Sequence, residues 1–308
     1  MACWTVFCLY AYFSYALYAI GVPFYLLFCW LILRGRRREE TLRSSFFTLC
    51  LFVAVADFEG SVINILASRP IFLGVPAFID FYTKWDQTPL KTSIQLSIQA
   101  TTSQFIGTLL LVVNRFTAVL YPTEHEEMWS RRTLVCCLCA QWLFPVAVFA
   151  LGMTPFSDPR LILLPNSTTM VLFYNDEYTI WFGLANTMIA LACAFTGFLL
   201  YLVIACKVYG LKSGSQSMVA ELRLTASGLI LYTEMMGYVA STLYIQVTLD
   251  VVGAMGWMYF SSDLMNLSNP FAVAAFSAVV RKELARCLGL DKQSATAVVN
   301  AVSVTKDK

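Results

Sequence analysis

The sequence predicts an all-α membrane protein: a bundle of seven transmembrane helices with its N-terminus outside and its C-terminus in the cytoplasm. Hydrophobic residue types make up 58% of the 308 residues and charged types only 13%, a composition typical of membrane proteins. The apolar residues form seven runs close to the length that crosses a bilayer. The basic residues between these runs lie mainly on one side, which sets the orientation.

The seven spans follow one another without a repeat or an extramembrane domain between them, so one bundle over residues 1–290 is predicted. The first apolar run has no basic segment before it and is longer than a signal-peptide core, so it is interpreted as a membrane helix. The predicted spans are 9–33, 46–67, 92–120, 133–154, 178–206, 224–249 and 257–280.

Two segments follow the last span. Residues 281–290 are expected to form a short interfacial helix, because Leu284 and Leu288 align on one face while the charged residues lie elsewhere. Cys287 in this segment is a candidate for palmitoylation. Residues 291–308 are expected to be a mobile cytoplasmic tail.

The orientation follows from the basic residues. With the N-terminus outside, the outer side holds only four of the 21 Lys and Arg residues, namely Arg69, Lys84, Lys91 and Arg160. The glycosylation sequon at Asn166, between the fourth and fifth spans, falls on the same outer side. Both signals therefore place the C-terminus in the cytoplasm.

Composition also limits the chemistry. A net charge of +2, without a basic face, does not favour nucleic acid. The single histidine, His125, and the absence of a CxxC pair with a His partner argue against a structural zinc site. Most of the ten cysteines lie in apolar runs, where cysteine behaves as a small hydrophobic residue.

Acidic and amide side chains at membrane depth are the candidate functional residues, because such groups are costly to keep there. Asp57 could bind a sodium ion or form a polar network with Asn266 and Asn269. Asp263, Asn266 and Asn269 recur every three residues and so share a helix flank. Pro270 is expected to kink the last helix. Glu59 and Glu234 are further acids in the second and sixth spans.

Arg115 lies at the edge of the third span, and two interpretations of it stay open. In the first it is a conformational latch that exchanges an intramolecular partner for another protein, with Glu221 at the start of the sixth helix as its partner. In the second its stem lies in hydrocarbon and its guanidinium reaches water. The surrounding residues Asn114, Phe116 and Pro122 favour the latch.

The ordered set of motifs resembles a known family. The set is Arg43-Ser44-Ser45-Phe46-Phe47, Asp57, Asn114-Arg115-Phe116, Pro122, Trp129, Ser262-Asp263, Pro270 and Arg281. It is similar to the nematode serpentine chemoreceptors, class gamma and the related class V, within the rhodopsin-like seven-helix receptors. The resemblance implies a G-protein-coupled receptor in the plasma membrane of sensory neurons, which binds small environmental chemicals and activates a heterotrimeric G protein.

The chain departs from the broader rhodopsin-like pattern at several positions. Asn114 stands where an acid usually precedes the arginine, and Val273 stands where a tyrosine is expected. The sixth span has no proline, and the predicted outer loops have no cysteine for a bridge to the third helix. These departures concern the details of switching rather than the architecture.

The ligand is expected between the outer halves of the third, fifth, sixth and seventh helices. The polar outer half of the third helix predicts that this helix is buried, beside a wet cavity. The candidate ligand residues are Gln95, Gln99, Thr102, Asn186, Tyr238 and Trp257.

Three other classes of membrane protein fit the sequence less well. A multi-pass transporter or channel would use the membrane acids to line a cation path, but the chain shows no internal repeat. An enzyme or light-driven pump is disfavoured, because the last span has no lysine and no span holds a His–carboxylate or Ser–Lys pair. The receptor is the better interpretation.

Overall fold

A computed structural model describes residues 2–73, 75–85, 88–153, 159–163, 170–174, 177–210, 216–248 and 251–290. Seven long helices dominate this part of the chain and confirm the predicted fold class. They are α1 (Ala2–Gly35), α2 (Ser45–Ile63), α5 (Thr88–Leu120), α7 (Arg131–Gly152), α8 (Glu177–Gly210), α9 (Gln216–Thr248) and α10 (Val251–Phe276). The shorter helices are α3 (Arg69–Phe72), α4 (Pro76–Lys84), α6 (His125–Met128) and α11 (Ala278–Cys287).

Five of the long helices, α1, α2, α5, α7 and α8, are long and apolar enough within the described residues to cross a membrane. Of these five spans α5 is the most buried and α7 the least. The buried position of α5 agrees with its polar sequence, because polar side chains that faced lipid would lose hydrogen bonds. α5 therefore forms the centre of the bundle.

The end of α2 departs from a simple helix. A π-helical turn, Asn64–Ser68, follows α2 directly and leads into α3. Such turns are often found at functional sites. Here the turn carries the chain on to Arg69, which lies inside the bundle.

α10 ends at Phe276, earlier than the predicted 280, because Ser277 starts the next helix. The Ser277 hydroxyl accepts a hydrogen bond from the backbone N–H of Val280 at 3.4 Å, as an N-cap does. The short helix that follows is therefore Ala278–Cys287 rather than 281–290. The tail 291–308 lies outside the described residues.

An antiparallel hairpin, β1 (Pro159–Leu163) and β2 (Met170–Tyr174), lies between α7 and α8, with Leu161 opposite Leu172. The sequence pattern did not predict a strand in this segment. Asn166, the predicted glycosylation site, falls between the two strands and outside the described residues.

We call the end of the bundle that carries the C-termini of α1, α5 and α10 the basic end, and the other end the opposite end. An apolar cluster near the basic end joins α1, α2, α5, α10 and α11 through Phe28, Phe47, Leu111, Val273 and Val280. A second cluster joins α5, α8 and α9 around Phe105 and Met235. That the basic end faces the cytoplasm stays a prediction.

Candidate functional site

A buried ion pair between Arg69 and Asp263 lies in the opposite half of the bundle, and both side chains are 0% exposed. The Arg69 Nε–H donates to Ser14 at 3.0 Å, and Nη2 donates to the Tyr10 hydroxyl at 3.2 Å. The guanidinium also faces the rings of Tyr10 and Tyr259 at 5.2 and 4.8 Å. Arg69 is therefore a buried charge with both a counter-ion and aromatic cover.

The Asp263 carboxylate accepts hydrogen bonds from α1 and the π-helical turn, in addition to its ion pair with Arg69 of α3. Tyr10, Ser14 and Tyr18 of α1 donate to it at 2.5, 2.6 and 2.6 Å. Asn64 Nδ2, in the π-helical turn, donates at 3.3 Å. A buried pair is stable only when further hydrogen bonds satisfy the remaining lone pairs, and these donors do so.

Sequence reasoning assigned Arg69 to the outer loops and missed this role. A signal was present, because Tyr10, Ser14 and Tyr18 recur every four residues and so share one stripe of the first helix. A stripe of hydroxyl groups in a membrane helix indicates a polar partner inside the bundle, and a buried acid such as Asp263 indicates a nearby cation.

A second polar layer surrounds Asp57 of α2, which is 2% exposed. Tyr25 of α1 donates to its carboxylate, and Asn269 Nδ2 of α10 donates at 3.4 Å. The structure thus places Asn269 against Asp57, while Tyr25 is a partner that sequence reasoning missed. Pro270, the next residue, is buried inside α10, which the structure continues to Phe276.

Asn266 lies between the two layers. Its Nδ2 donates to the Tyr18 hydroxyl at 3.3 Å, and its Oδ1 accepts from Gln104 of α5 at 2.5 Å. Gly60 of α2 leaves room for the Asn266 side chain, because a Cβ at Gly60 would lie 2.7 Å from Asn266 Oδ1. Asp263, Asn266 and Asn269 therefore form a polar chain along one flank of α10, from Arg69 to Asp57.

A sodium ion near Asp57 was an expectation of the sequence. Within the described residues no group of three His, Cys, Asp or Glu side chains is placed to hold a metal. The Asp57 carboxylate and the Asn269 Oδ1 atom, which is buried without a partner among the described residues, are nevertheless oxygen ligands that suit a hard cation. The residues present fit such an ion.

Four of the candidate ligand residues lie along α5 and α8. Gln99 Nε2 donates to Glu59 of α2 at 3.4 Å, and Thr102 donates to Asn186 of α8 at 2.9 Å. Gln95 is buried against Gly152 of α7. These residues face three different helices rather than one shared point.

The two aromatic candidates differ from each other. Tyr238 of α9 packs on Phe105 of α5, with ring centroids 5.6 Å apart. Trp257 is 68% exposed and contacts Phe260 of its own helix. The structure therefore brings Tyr238 to the centre of the bundle and leaves Trp257 apart from the other candidates.

Arg115 lies at the basic end and is 7% exposed. Its guanidinium carbon lies 3.6 Å from the centroid of the Phe46 ring of α2. The preceding residue, Asn114, donates to Ser45 at 2.7 Å, which ties α5 to the start of α2. The proposed partner Glu221 lies outside the residues whose side chains the structure describes.

The loop after α5 is fixed by Thr117. Its hydroxyl accepts from Trp129 Nε1 at 2.8 Å and lies 3.0 Å from His125 Nδ1. Phe116 packs near Tyr121, with ring centroids 6.5 Å apart, and Pro122 is exposed in the turn. The motif around Arg115 therefore forms a compact surface at the basic end.

α11 is held to the loop after α1. Lys282 and Arg286 donate to Glu39 at 3.0 and 3.1 Å. These hydrogen bonds lower the pKa of the partly exposed Glu39 carboxyl. α11 thus borders the same end of the bundle as Arg115.

Comparison with known proteins gives the family. The profile described as serpentine type 7TM GPCR chemoreceptor Srv matches residues 14–290. A curated relative, serpentine receptor class V-1 of Caenorhabditis elegans, is 25% identical over 166 residues. That alignment covers 54% of this chain and 52% of the relative, so the chain spans about half the length of the relative it matches.

The family match covers α1 from residue 14 and the other six long helices in full, and it includes both the polar chain and the motif around Arg115. It agrees with the class V resemblance of the sequence motifs, and the family is one of receptors rather than of enzymes. The chain belongs to the Srv family of serpentine seven-transmembrane G-protein-coupled chemoreceptors.

Proposed function

We propose that this receptor binds a small environmental chemical in the opposite half of the bundle and activates a heterotrimeric G protein at the basic end. The observation that carries the proposal is the polar chain from Arg69 to Asp57, which links α1, α2, α5 and α10 inside the bundle. A ligand that shifts one of these helices changes hydrogen bonds along the chain. Such bonds have discrete arrangements, so they can bias two conformations.

The basic end supplies the other half of the mechanism. Arg115 is buried over Phe46, and Asn114 and Phe116 beside it belong to the compact surface closed by Thr117 and Pro122. In the active conformation α5 and α9 separate, and a helix of the G protein enters beside Arg115. Glu221 is the proposed partner that Arg115 leaves in this step.

Asp57 is the proposed link between the two ends. A sodium ion at Asp57 and Asn269 would compensate the buried carboxylate and favour one arrangement of the polar chain. Tyr25 donates to the same carboxylate, so a shift of the Asp57 side chain would also move the Tyr25 hydroxyl.

The expected setting is the plasma membrane of a sensory neuron, with the N-terminus outside and Asn166 glycosylated. These expectations rest on the family, the distribution of Lys and Arg, and the sequon.

The test is GTP exchange on purified heterotrimeric G proteins, with the receptor in lipid nanodiscs and a panel of small chemicals. We expect at least one chemical to raise exchange with the wild-type receptor, and none to do so with Arg115→Ala. Ligand-dependent exchange that is equal in the two receptors would remove Arg115 from the mechanism.

The transporter alternative is tested in parallel. Reconstituted liposomes without G protein should show no movement of the same chemicals or of sodium. Transport there, with no GTP exchange on any G protein, would contradict the receptor proposal.

The latch has its own test. Glu221→Ala should raise ligand-independent exchange, because it removes the partner proposed to hold Arg115 in the inactive state. Unchanged basal exchange in a variant with normal surface expression would reject Glu221 as that partner.

A further inference from the structure

Five arginines and two glutamates lie in residues 34–43, where α1 ends and the chain turns towards α2. Two of these arginines are used within the turn. The Arg36 guanidinium donates to the Leu42 carbonyl at 3.0 Å and to the Thr48 hydroxyl at 2.6 Å. Arg43 Nε donates to the Arg36 carbonyl at 2.6 Å. These two arginines therefore hold the turn in place.

The other three arginines of this segment are exposed at the basic end, namely Arg34, Arg37 and Arg38. The hydrogen bonds and ion pairs between described residues use none of their guanidinium groups. Glu39 is bonded instead to Lys282 and Arg286 of α11. Glu40 is the other acid of the segment and is exposed. The turn therefore presents an excess of positive charge that suits an anionic partner.

Arg34 is positioned by Trp30, one helical turn earlier on α1. The guanidinium carbon lies 4.8 Å from the centroid of the Trp30 ring. An indole ring attracts a cation over its face, so this contact orients the guanidinium before any partner binds. Trp30 is itself 44% exposed, so both groups are accessible from outside the bundle. We call Trp30 and the three exposed arginines the α1 corner.

An exposed apolar face of α1 leads to the α1 corner. Its members are Leu26, Trp30 and Leu33. Their spacing of four and three residues places them on one face of the helix, together with Arg34. Phe28, on the opposite face, packs in the apolar cluster near the basic end. This side of α1 therefore presents apolar surface at membrane depth and ends in a cation.

We propose that the α1 corner binds an anionic phospholipid whose headgroup bears several phosphate groups. The phosphates would accept charge-assisted hydrogen bonds from the three arginines, and an acyl chain would lie along the apolar face of α1. Clusters of Lys and Arg beside a membrane helix attract such lipids in the cytoplasmic leaflet, which agrees with the predicted side of the basic end. The apolar face favours a lipid over a soluble protein, because a soluble protein does not reach membrane depth.

The test measures lipid binding to the purified receptor in detergent by native mass spectrometry, with no G protein present. The probes are phosphatidylinositol bisphosphate, phosphatidylserine and phosphatidylcholine with the same acyl chains. We expect the affinity for the bisphosphate lipid to exceed that for phosphatidylserine by at least about tenfold, because its headgroup pairs with more than one guanidinium. Equal affinity for the bisphosphate and serine lipids would overturn the proposal.

The soluble headgroup distinguishes a lipid site from a site for a free phosphate compound. Inositol trisphosphate carries the phosphates without the acyl chains. It should displace the bisphosphate lipid at least about tenfold less well than the unlabelled lipid does, because it does not use the apolar face of α1. Equal displacement by the two competitors would show that a lipid is not the occupant and would reject the proposal.

Arg37→Gln with Arg38→Gln should weaken binding of the bisphosphate lipid by about tenfold to hundredfold, because two donors of charge-assisted hydrogen bonds are lost. The matched control is Arg131→Gln with Arg132→Gln, which removes two consecutive exposed arginines at the start of α7. The control should bind within about twofold of wild type. Equal losses in the two pairs would assign binding to the net charge of the basic end and reject the α1 corner.

Trp30→Leu removes the ring and keeps an apolar side chain. It should weaken binding by about two- to fivefold, which corresponds to an exposed cation–π contact. Trp30→Phe keeps a ring and should retain most of the affinity. Unchanged affinity in Trp30→Leu would reject the positioning of Arg34 by this ring.

Lipid binding and signalling are measured separately on the same variants. All the substituted arginines are exposed, so thermal unfolding should show that both pairs keep the folded state. Normal lipid binding with loss of GTP exchange in Arg37→Gln with Arg38→Gln would show that these arginines contact the G protein. That result would overturn the lipid site.

Discussion

Two buried arginines, Arg69 and Arg115, lie in opposite halves of the bundle and are held by different contacts. Arg69 is paired with Asp263, bonded to α1 hydroxyls and covered by two tyrosine rings. Among the described contacts of Arg115 is the ring of Phe46. A buried pair is lost only at a high free-energy cost, whereas a cation over a ring contributes about 0.5–2 kcal/mol. We therefore expect the half around Arg69 to stay fixed and the contact between Arg115 and Phe46 to rearrange.

The two arginines also illustrate two roles of a buried arginine in a membrane bundle, one structural and one in switching. The ion pair joins α1, α3 and α10 and so serves as a tertiary cross-link. Arg115 is buried at the basic end, where the proposed G protein would bind, and such a partner can replace its contact with Phe46. Burial of a charge in a membrane helix therefore does not by itself distinguish a structural role from a switching role.

The largest expected effect comes from breaking the ion pair. Arg69→Met should lower the free energy of unfolding by about 3–5 kcal/mol, because Asp263 is left as a buried charge without its counter-ion. Thermal unfolding in nanodiscs measures this. The double variant Arg69→Met with Asp263→Leu should recover most of the loss. A single variant as stable as wild type would show that the Arg69 half is not fixed by this pair.

The next effect concerns the contact between α8 and α9. The Tyr201 hydroxyl occupies the place that a Cβ on Gly228 would need, and Tyr232 packs on Gly197 in the reverse direction. Gly228→Ala should therefore force the helices apart and cost about 1–3 kcal/mol of stability. We also expect higher ligand-independent GTP exchange, because α9 is displaced.

The control for Gly228 is Gly256→Ala in α10, since no atom of the described residues lies within 4 Å of a Cβ at that position. Tyr201→Phe combined with Gly228→Ala should restore part of the stability, because the hydroxyl is removed. If both glycine variants behave alike, the close contact of α8 and α9 does not control the basic end.

A smaller change in stability is expected at Arg115. Arg115→Ala removes the contact with the Phe46 ring, which contributes about 0.5–2 kcal/mol, and GTP exchange should be lost. Arg115→Lys keeps the charge without the planar stacking and should retain only part of the exchange. A stability loss as large as that of Arg69→Met would mean that Arg115 is also a structural anchor, and the comparison would fail.

The smallest effect is a pH dependence at Glu39. Its pKa is lowered by Lys282 and Arg286, so the carboxylate stabilises the docking of α11 above its unfolded pKa. This contribution is lost as the pH falls through the lowered folded-state pKa. The protection of the α11 amides against hydrogen exchange, taken relative to the intrinsic rate at each pH, should therefore fall on acidification, and Glu39→Gln should remove that pH dependence. A pH profile that is the same in the variant would assign the change to another group.

Several features of the site were accessible from the sequence because they depend on spacing along one helix. The step of three in Asp263, Asn266 and Asn269 predicts a shared flank, and in the structure these residues bond to α1, α5 and α2 in turn. The polarity of the third span predicts its burial, and α5 is the most buried of the five spans. Trp257 shows the limit, because its exposure depends on the rotation of α10, which spacing does not give.

The sequence by itself determined the membrane class, the approximate positions of the helices and the family motifs. These follow from apolar run length and local residue order, which are properties of the chain in one dimension. Only the tertiary structure decided that Arg69 lies inside the bundle, that Tyr25 bonds to Asp57, and that Gln99 bonds to Glu59. Those contacts depend on how each helix is rotated and tilted against its neighbours, and packing among all seven helices sets these angles together.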